Sequence, residues 1–403
     1  MAKLFFHLGL FPVLFSVLVY TVLGAAPTLD KLFIIQGGTA NGGCDAYTAT
    51  MNNWLIEINY ALQTTLAAID KYETEPKVRA AFTTFFGVKE TAKATTGVTN
   101  IRSMSIFLIP RILTGLTLRL EIFQWVYNFF SFALQDDGTP WYPIDNSRYI
   151  FCDSTWLIEQ TQADTAKDYQ GNGIIDKNGD LVPIESIPGY KTAIGTKAGN
   201  KIWWSGEYAP FNGYYFSPTG ADYCSNPKSL GLTSFIQELE VNTNTGTLKG
   251  RRQVEDIIIC PSSFTTSAPN SFTAGDALIS AGTGLDTVLP KSATLLHESF
   301  HNLFGTTGQY GFLQTGEECR CSVFMYANVY DTDSAWADNL MTCISWANVN
   351  AVKGARKNPE NYVFFAAHMF YLYGTASQGI SKNWDFEIIE EANGDKKFGA
   401  KAP

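Results

Sequence analysis

Apolar residues recur at helical spacing over the first part of the chain. Within residues 44–86 they stand three or four positions apart, which places them on one face of a helix. The positions with this spacing are Leu55, Ile58, Leu62, Leu66 and Ile69. Gly87 is expected to end the second helical segment. Residues 101–134 repeat the pattern, and Pro110 is expected to start or kink a helix there.

Residues 136–290 instead contain short β-like runs separated by stretches rich in Gly, Pro and Asn. Residues 201–204 and 213–217 are two such runs, and both are aromatic. Residues 256–260 read Asp-Ile-Ile-Ile-Cys and precede Pro261, which is typical of a central buried strand.

Helical patterning returns in residues 290–304 and 358–374, and the end of the chain is polar. We therefore predict an α+β fold, helix-rich with a small mixed β-sheet. Residues 26–375 are expected to form a single domain, in which 136–255 is a candidate insertion. Residues 376–403 are expected to form a loose C-terminal tail.

The N-terminus has the features of a secretory signal peptide. Lys3 is followed by a largely apolar stretch from Leu4 to Leu23, and then by the small residues Gly24-Ala25-Ala26. Residues 1–25 are therefore expected to be removed, and the mature protein to be secreted and extracellular. The alternative is a retained membrane anchor, for which the apolar stretch is long enough.

Composition narrows the range of partners. Apolar residues make up 45% of the chain and charged residues 17%, so a large core can form. The formal net charge is −9, and no basic cluster is large enough to attract nucleic acid against it. No second uninterrupted apolar span of membrane-crossing length follows the signal segment. We expect a monomer that binds neither nucleic acid nor, after signal cleavage, a membrane.

Seven cysteines lie beyond the signal segment, and they are Cys44, Cys152, Cys224, Cys260, Cys319, Cys321 and Cys343. In an oxidising compartment most of them should form disulfides. Their odd number leaves at least one free or intermolecular, and sequence alone does not choose among the connectivities.

The strongest chemical signal is the pair His297 and His301, which lies within the predicted helix 290–304. Ser292 is a candidate N-cap, and Gly305 follows the last turn. Between them an apolar face is formed by Ala293, Leu296, Phe300 and Leu303. Because the two histidines are four positions apart, both side chains project from one side of the helix at adjacent turns.

Two imidazoles at this spacing can each give a nitrogen to one Zn²⁺. Glu298 lies about 100° around the helix from His297, so it can act as general base on a water without being a ligand. The pattern H-E-x-x-H is therefore a signature of zinc hydrolases. The alternative is a structural helix that contains two hydrogen-bonded histidines.

A catalytic zinc ion needs a third protein ligand and an open position. The acidic candidates downstream are Glu317, Glu318, Asp331, Asp333 and Asp338. Cys319 and Cys321 are alternative soft ligands, although a secreted chain should have them in disulfides. His368 lies in a very apolar run, which favours a position in the core or behind the ligands over direct ligation.

Four stretches of the chain carry a family resemblance. They are His297-Glu-Ser-Phe-His301, Ile259-Cys-Pro-Ser-Ser-Phe264, Asn358-Pro-Glu-Asn-Tyr362-Val-Phe-Phe-Ala366, and Cys44 with the later Phe85-Phe86-Gly87. Together they resemble the deuterolysin-like fungal metalloendopeptidases, the aspzincins, over residues 40–375. The resemblance implies a zincin-like metalloprotease fold, one catalytic Zn²⁺, and protein or peptide substrates.

The aspzincins take their third zinc ligand from an aspartate in Gly-Thr-x-x-Asp-x-x-Tyr-Gly, a motif that this chain lacks in intact form. Residues 305–311 resemble its letters but contain no Asp, whereas Asp333 is followed three residues later by Trp336. We therefore expect Asp333 to be the third ligand, with Asp331 and Glu318 as alternatives. Where the family has a tyrosine that helps to stabilise the oxyanion, Trp336 can donate only through its indole N–H.

The predicted function is a secreted zinc metalloendopeptidase in which Glu298 is the general base. The rival hypothesis is a secreted zinc-binding protein without catalysis, such as a metal scavenger or a surface antigen. Such proteins typically lose the catalytic glutamate, which is present here. A third interpretation is a cell-wall or adhesive domain on the same scaffold, and such a domain should purify without stoichiometric zinc.

Overall fold

The computed structural model describes residues 27–87, 115–135, 138–142, 148–187, 199–206, 212–242, 247–304, 340, 359–390 and 396–401. The α-helices of these residues are α1 (Thr48–Ile69), α2 (Pro76–Phe86), α3 (Gly115–Phe130), α4 (Pro261–Thr265), α5 (Phe272–Asp276), α6 (Ser292–Phe304) and α7 (Pro359–Tyr373). The β-strands are β1 (Ile34–Ile35), β2 (Tyr149–Phe151), β3 (Ile158–Gln160), β4 (Lys201–Trp204), β5 (Tyr214–Ser217), β6 (Gly231–Asn242), β7 (Thr247–Ile259), β8 (Asp385–Glu390) and β9 (Lys396–Lys401).

Seven of these strands form one mixed sheet in the order β1-β2-β7-β6-β5-β4-β3. The strands β1, β2 and β7 are parallel to one another, whereas β7, β6, β5, β4 and β3 pair antiparallel in succession. The predicted α+β class is therefore confirmed. The sheet is larger than the small sheet we expected, because the aromatic strands β4 and β5 extend it beyond β6 together with β3.

The strand β7 lies in the middle of the sheet with apolar side chains on both faces. Ile257 and Ile259 pack into the larger core beneath the helices, and Ile258 packs into a second core on the opposite face. All three side chains are fully buried. A strand that is covered on both sides needs a continuous apolar run, which confirms the prediction of a central buried strand at 256–260.

The first two helices form where the apolar periodicity predicts them. The predicted face of α1 is in the core, since four of its five apolar residues are buried and Leu66 is partly buried. Pro76 stands in the first turn of α2, where its missing N–H leaves no hydrogen bond unmade. Gly87 ends α2 in a left-handed conformation (φ 66°) and donates its N–H to the carbonyl of Thr83.

The helix α7 runs through the core with almost every side chain buried. His368 on this helix is 2% exposed, and its Nε2 lies 3.2 Å from Oδ1 of Asp385. The backbone N–H of Phe386 also donates to this Nε2 at 3.2 Å. His368 therefore occupies a core position against the strand β8, as its apolar surroundings in the sequence favour.

The loose tail that we expected at 376–403 is wrong for most of its length. The strands β8 and β9 pair antiparallel through residues 385–390 and 396–401. Phe386 and Phe398 are each 2% exposed and pack into the main core. The charged residues of this segment led us to expect a loose tail. The two buried aromatic rings stabilise a hairpin instead, because each ring removes a large apolar area from water.

Two disulfides join distant parts of the described chain. Cys44, before α1, bonds to Cys152 at the end of β2, and Cys224 bonds to Cys260 at the end of β7. The predictions that concern residues 1–25, Cys319, Cys321 and Cys343 lie outside the described residues. Among the described helices, none combines the length and apolar character that a membrane span requires.

Glu57 connects α1 to the first turn of α6. Its Oε2 accepts a hydrogen bond from the hydroxyl of Ser292 at 2.9 Å. Ser292 is the first residue of α6 and not the N-cap that we expected. Its hydroxyl donates to Glu57. Burial raises the pKa of Glu57 to about 7. The hydrogen bonds from the hydroxyl of Ser292 and the N–H of Phe272 lower this pKa and only partly offset the effect of burial.

We expect Glu57→Gln to change how stability depends on pH. Because the folded pKa of about 7 lies above the ordinary value of 4.5, the free energy of unfolding of the wild type falls as pH rises through this window. Glu57→Gln has no carboxyl group at this position, so its free energy of unfolding does not show this fall. Between pH 4.5 and pH 8 its stability relative to wild type should increase by about 1–3 kcal/mol, measured by chemical denaturation. Parallel pH profiles for the two proteins would contradict this assignment.

Candidate metal centre

The helix α6 is buried between the sheet and the other helices. Its apolar residues Ala293, Leu296, Phe300 and Leu303 are buried in the main core, as the sequence predicts. The helix contacts α1 and α7 on one side and β6 and β7 on the other. On the sheet side, Asn302 donates its amide to the carbonyl of Glu255 at 2.6 Å. These contacts fix the rotation of the helix about its own axis.

The two histidines of α6 point their Nε2 atoms at each other. The distance between Nε2 of His297 and Nε2 of His301 is 3.1 Å. Two nitrogens that are each about 2.0–2.1 Å from one tetrahedral ion would be about 3.3 Å apart, so the observed spacing fits a shared ion. His297, Glu298 and His301 offer ligand atoms that all lie within 4.8 Å of one another. Within the described residues, this group could hold a metal ion.

The electrostatic surroundings keep His301 neutral. Burial lowers its pKa far below the ordinary value, the neighbouring His297 lowers it further, and Glu360 opposes both effects. A metal ion binds the lone pair of a neutral imidazole, and a proton on that nitrogen would block it. A depressed pKa therefore leaves His301 ready to bind a cation across the ordinary pH range.

Glu298 is held against the sheet by the first residues of β6. The hydroxyl of Thr233 lies 2.8 Å from Oε2 of Glu298 and 3.1 Å from its backbone carbonyl oxygen. A Cβ atom on Gly231 would come within 2.8 Å of Oε1, so only glycine leaves room for the carboxyl there. Glu298 is 5% exposed. The carboxyl is thus directed by its neighbours and lies beside the two histidines.

One acidic residue near the histidines was missed in the sequence. Glu360 lies in the first turn of α7, and its Oε1 is 3.6 Å from Nδ1 of His297. Burial raises the pKa of Glu360, and the nearby His301 lowers it. Glu360 lies inside the stretch Asn358–Ala366 that carries part of the family resemblance. It follows the two histidines by about 60 positions, and such a separation along the chain does not show whether the side chains are close in space.

The predicted third ligand, Asp333, lies outside the described residues. The same holds for the other acidic candidates and for the two cysteines considered as soft ligands, which are Glu317, Glu318, Asp331, Asp338, Cys319 and Cys321. His368 is held by Asp385 through β8 and is not part of the His297 group. The assignment of the third ligand therefore stays a prediction.

Comparison with known proteins gave no match: no protein-family model, no curated protein and no solved structure matches this chain.

We expect zinc to stabilise the folded protein through His297 and His301. At a free Zn²⁺ concentration of about 100 times the Kd, a ligand that binds only the folded state raises the free energy of unfolding by about 2.7 kcal/mol. The gain should be visible in chemical denaturation with and without a chelator. In His301→Ala the gain should be lost, because one imidazole ligand is removed.

The matched control is His368→Gln. It changes the histidine of α7 that pairs with Asp385 and leaves the two histidines of α6 in place. This variant should be less stable but should keep the gain from zinc. Equal stability of the wild type with and without zinc would contradict the metal centre, and so would an undiminished gain in His301→Ala.

Proposed function

We propose that this chain is a secreted zinc-dependent metalloendopeptidase with Glu298 as its general base. One observation supports it above all others. The two imidazole Nε2 atoms are 3.1 Å apart, and the carboxyl of Glu298 lies beside them on the same buried helix. Metal ligands and a separate buried base are the two requirements for activating water.

A zinc ion held by His297, His301 and a third ligand, which we take to be Asp333, would polarise the scissile carbonyl and lower the pKa of a water towards about 7. The protein groups do the rest of the chemistry. Glu298 accepts the proton of the attacking water at its carboxylate and then donates it to the leaving amine. The hydrogen bond from Thr233 to Oε2 keeps the carboxylate in one orientation during both transfers.

The proposal extends to the fold and to the compartment. A buried helix with both histidines against the β6–β7 hairpin, and with α7 on its other side, is compatible with the zincin-like fold that the aspzincin resemblance implies. Secretion is supported by the N-terminal segment and by the two disulfides, because disulfides persist in oxidising compartments. Protein or peptide substrates are what the aspzincin resemblance implies.

The experiment that tests the base is Glu298→Gln, measured on casein together with zinc stoichiometry. A neutral amide of the same size can neither accept nor return the proton, so kcat/KM should fall by about 10²–10⁴-fold. Zinc should remain bound at one ion per chain, because Glu298 is not a ligand in this mechanism. Glu57→Gln is the control, since it makes the same chemical change on α1, where Glu57 contacts Ser292 in the first turn of α6. It should leave the cleavage rate unchanged.

The outcomes separate the competing functions. Cleavage by Glu298→Gln at the wild-type rate would contradict the mechanism. One zinc ion in the wild type without cleavage of any protein substrate would favour the non-catalytic zinc-binding protein. A wild type that purifies and refolds without zinc would favour the scaffold domain.

A further inference from the structure

The imidazole of His297 has a different neighbour at each ring nitrogen. Its Nε2 faces Nε2 of His301 at 3.1 Å. Its Nδ1 faces Oε1 of Glu360 at 3.6 Å. Glu360 is outside the group of ligand atoms within 4.8 Å of one another, so the carboxyl is beside the ring and not at the point where the two Nε2 atoms converge.

The two nitrogens of a ligating histidine have complementary roles. One nitrogen binds the metal through its lone pair, so the proton must be on the other nitrogen. A carboxylate that accepts this second N–H selects the correct tautomer, fixes the ring orientation and makes the ligating nitrogen more basic. Glu360 has the chemistry and the position for this role toward His297.

Packing between α6 and α7 holds Glu360 in place. The ring of Tyr362 on α7 stacks on Phe300 of α6, with the ring centroids 5.0 Å apart. Asn361 donates its side-chain amide to the carbonyl of Phe85 at the end of α2. Pro359 restricts the backbone directly before Glu360. The carboxyl is therefore presented by a rigid helix start and not by a loop.

We propose that Glu360 is a positioning residue of the metal centre, which accepts a hydrogen bond from Nδ1 of His297 and so directs Nε2 of that ring at the metal. The present 3.6 Å is longer than a hydrogen bond. A bound cation would withdraw charge from the imidazole and strengthen its N–H as a donor, which would shorten this contact. The inference rests on the metal centre of the proposed function, but not on peptide cleavage.

The test compares Zn²⁺ affinity among three variants, by competition with a chelator of known affinity. Glu360→Ala removes the acceptor, and Glu360→Gln keeps the shape and a neutral acceptor oxygen. Asp385→Asn is the matched control, because it alters the other histidine–carboxylate pair of α7, where Asp385 lies 3.2 Å from His368. The absorption spectrum of the Co²⁺-substituted protein reports whether the direct ligands have changed.

Glu360→Ala should bind Zn²⁺ about 10–100-fold more weakly than wild type, which is the usual effect of losing such a partner. Glu360→Gln should bind Zn²⁺ with an affinity between those of wild type and Glu360→Ala, since an amide oxygen is a weaker acceptor than a carboxylate. Asp385→Asn should bind zinc as tightly as wild type. The Co²⁺ spectrum of Glu360→Ala should keep the wild-type form, because its direct ligands are the same.

Three results would overturn the assignment. One is unchanged zinc affinity in Glu360→Gln, which decides the matter even if Glu360→Ala does not fold. Another is an equal loss of affinity in Asp385→Asn. The third is an altered Co²⁺ spectrum in Glu360→Ala, which would make Glu360 a direct ligand. If wild type binds zinc but cleaves nothing, the proposed function fails while this inference stands, so the two failures are distinguishable.

Discussion

The burial of α6 on both of its sides is the constraint on which the rest of the structure depends. The helix core face packs against α1 and α7, and its opposite side is hydrogen-bonded to the sheet through Asn302 and Thr233. A helix held in this way cannot rotate without breaking apolar packing and buried hydrogen bonds together. The side of α6 that carries His297 and His301 is therefore fixed, and on that side their Nε2 atoms lie 3.1 Å apart.

The burial of α6 also brings His297, Glu298 and His301 together at one place with little access to water. The carboxyl of Glu298 is buried and the two imidazoles are partly buried, and buried polar groups destabilise a fold unless they are hydrogen-bonded or bind an ion. A cation between the two histidines would bind both nitrogens, and the hydroxyl of Thr233 on β6 lies 2.8 Å from Oε2 of Glu298. The two histidine nitrogens thus converge on one point, while the carboxyl of Glu298 is held beside them by β6.

Local periodicity accounts for what could be predicted from sequence. The helix at 292–304, its buried face and the approach of His297 to His301 all follow from spacing within one element. Thr233 and Glu360 could not be found in this way, since they reach the centre through β6 and α7, and their contacts depend on tertiary packing. The hairpin of β8 and β9 was missed for a related reason. Charged residues dominate its sequence, but its stability depends on the packing of Phe386 and Phe398 against core residues that are distant in the sequence.

The most direct test of the metal centre is anomalous diffraction at the zinc absorption edge from crystals of the zinc-loaded protein. We expect one strong peak at about 2.0–2.1 Å from Nε2 of both His297 and His301. Both carboxylate oxygens of Glu298 should lie beyond bonding distance of that peak, and the third ligand will be visible in the same map. A map with no peak between the two histidines would contradict the metal centre, and a map with Glu298 bound to the ion would contradict its role as general base.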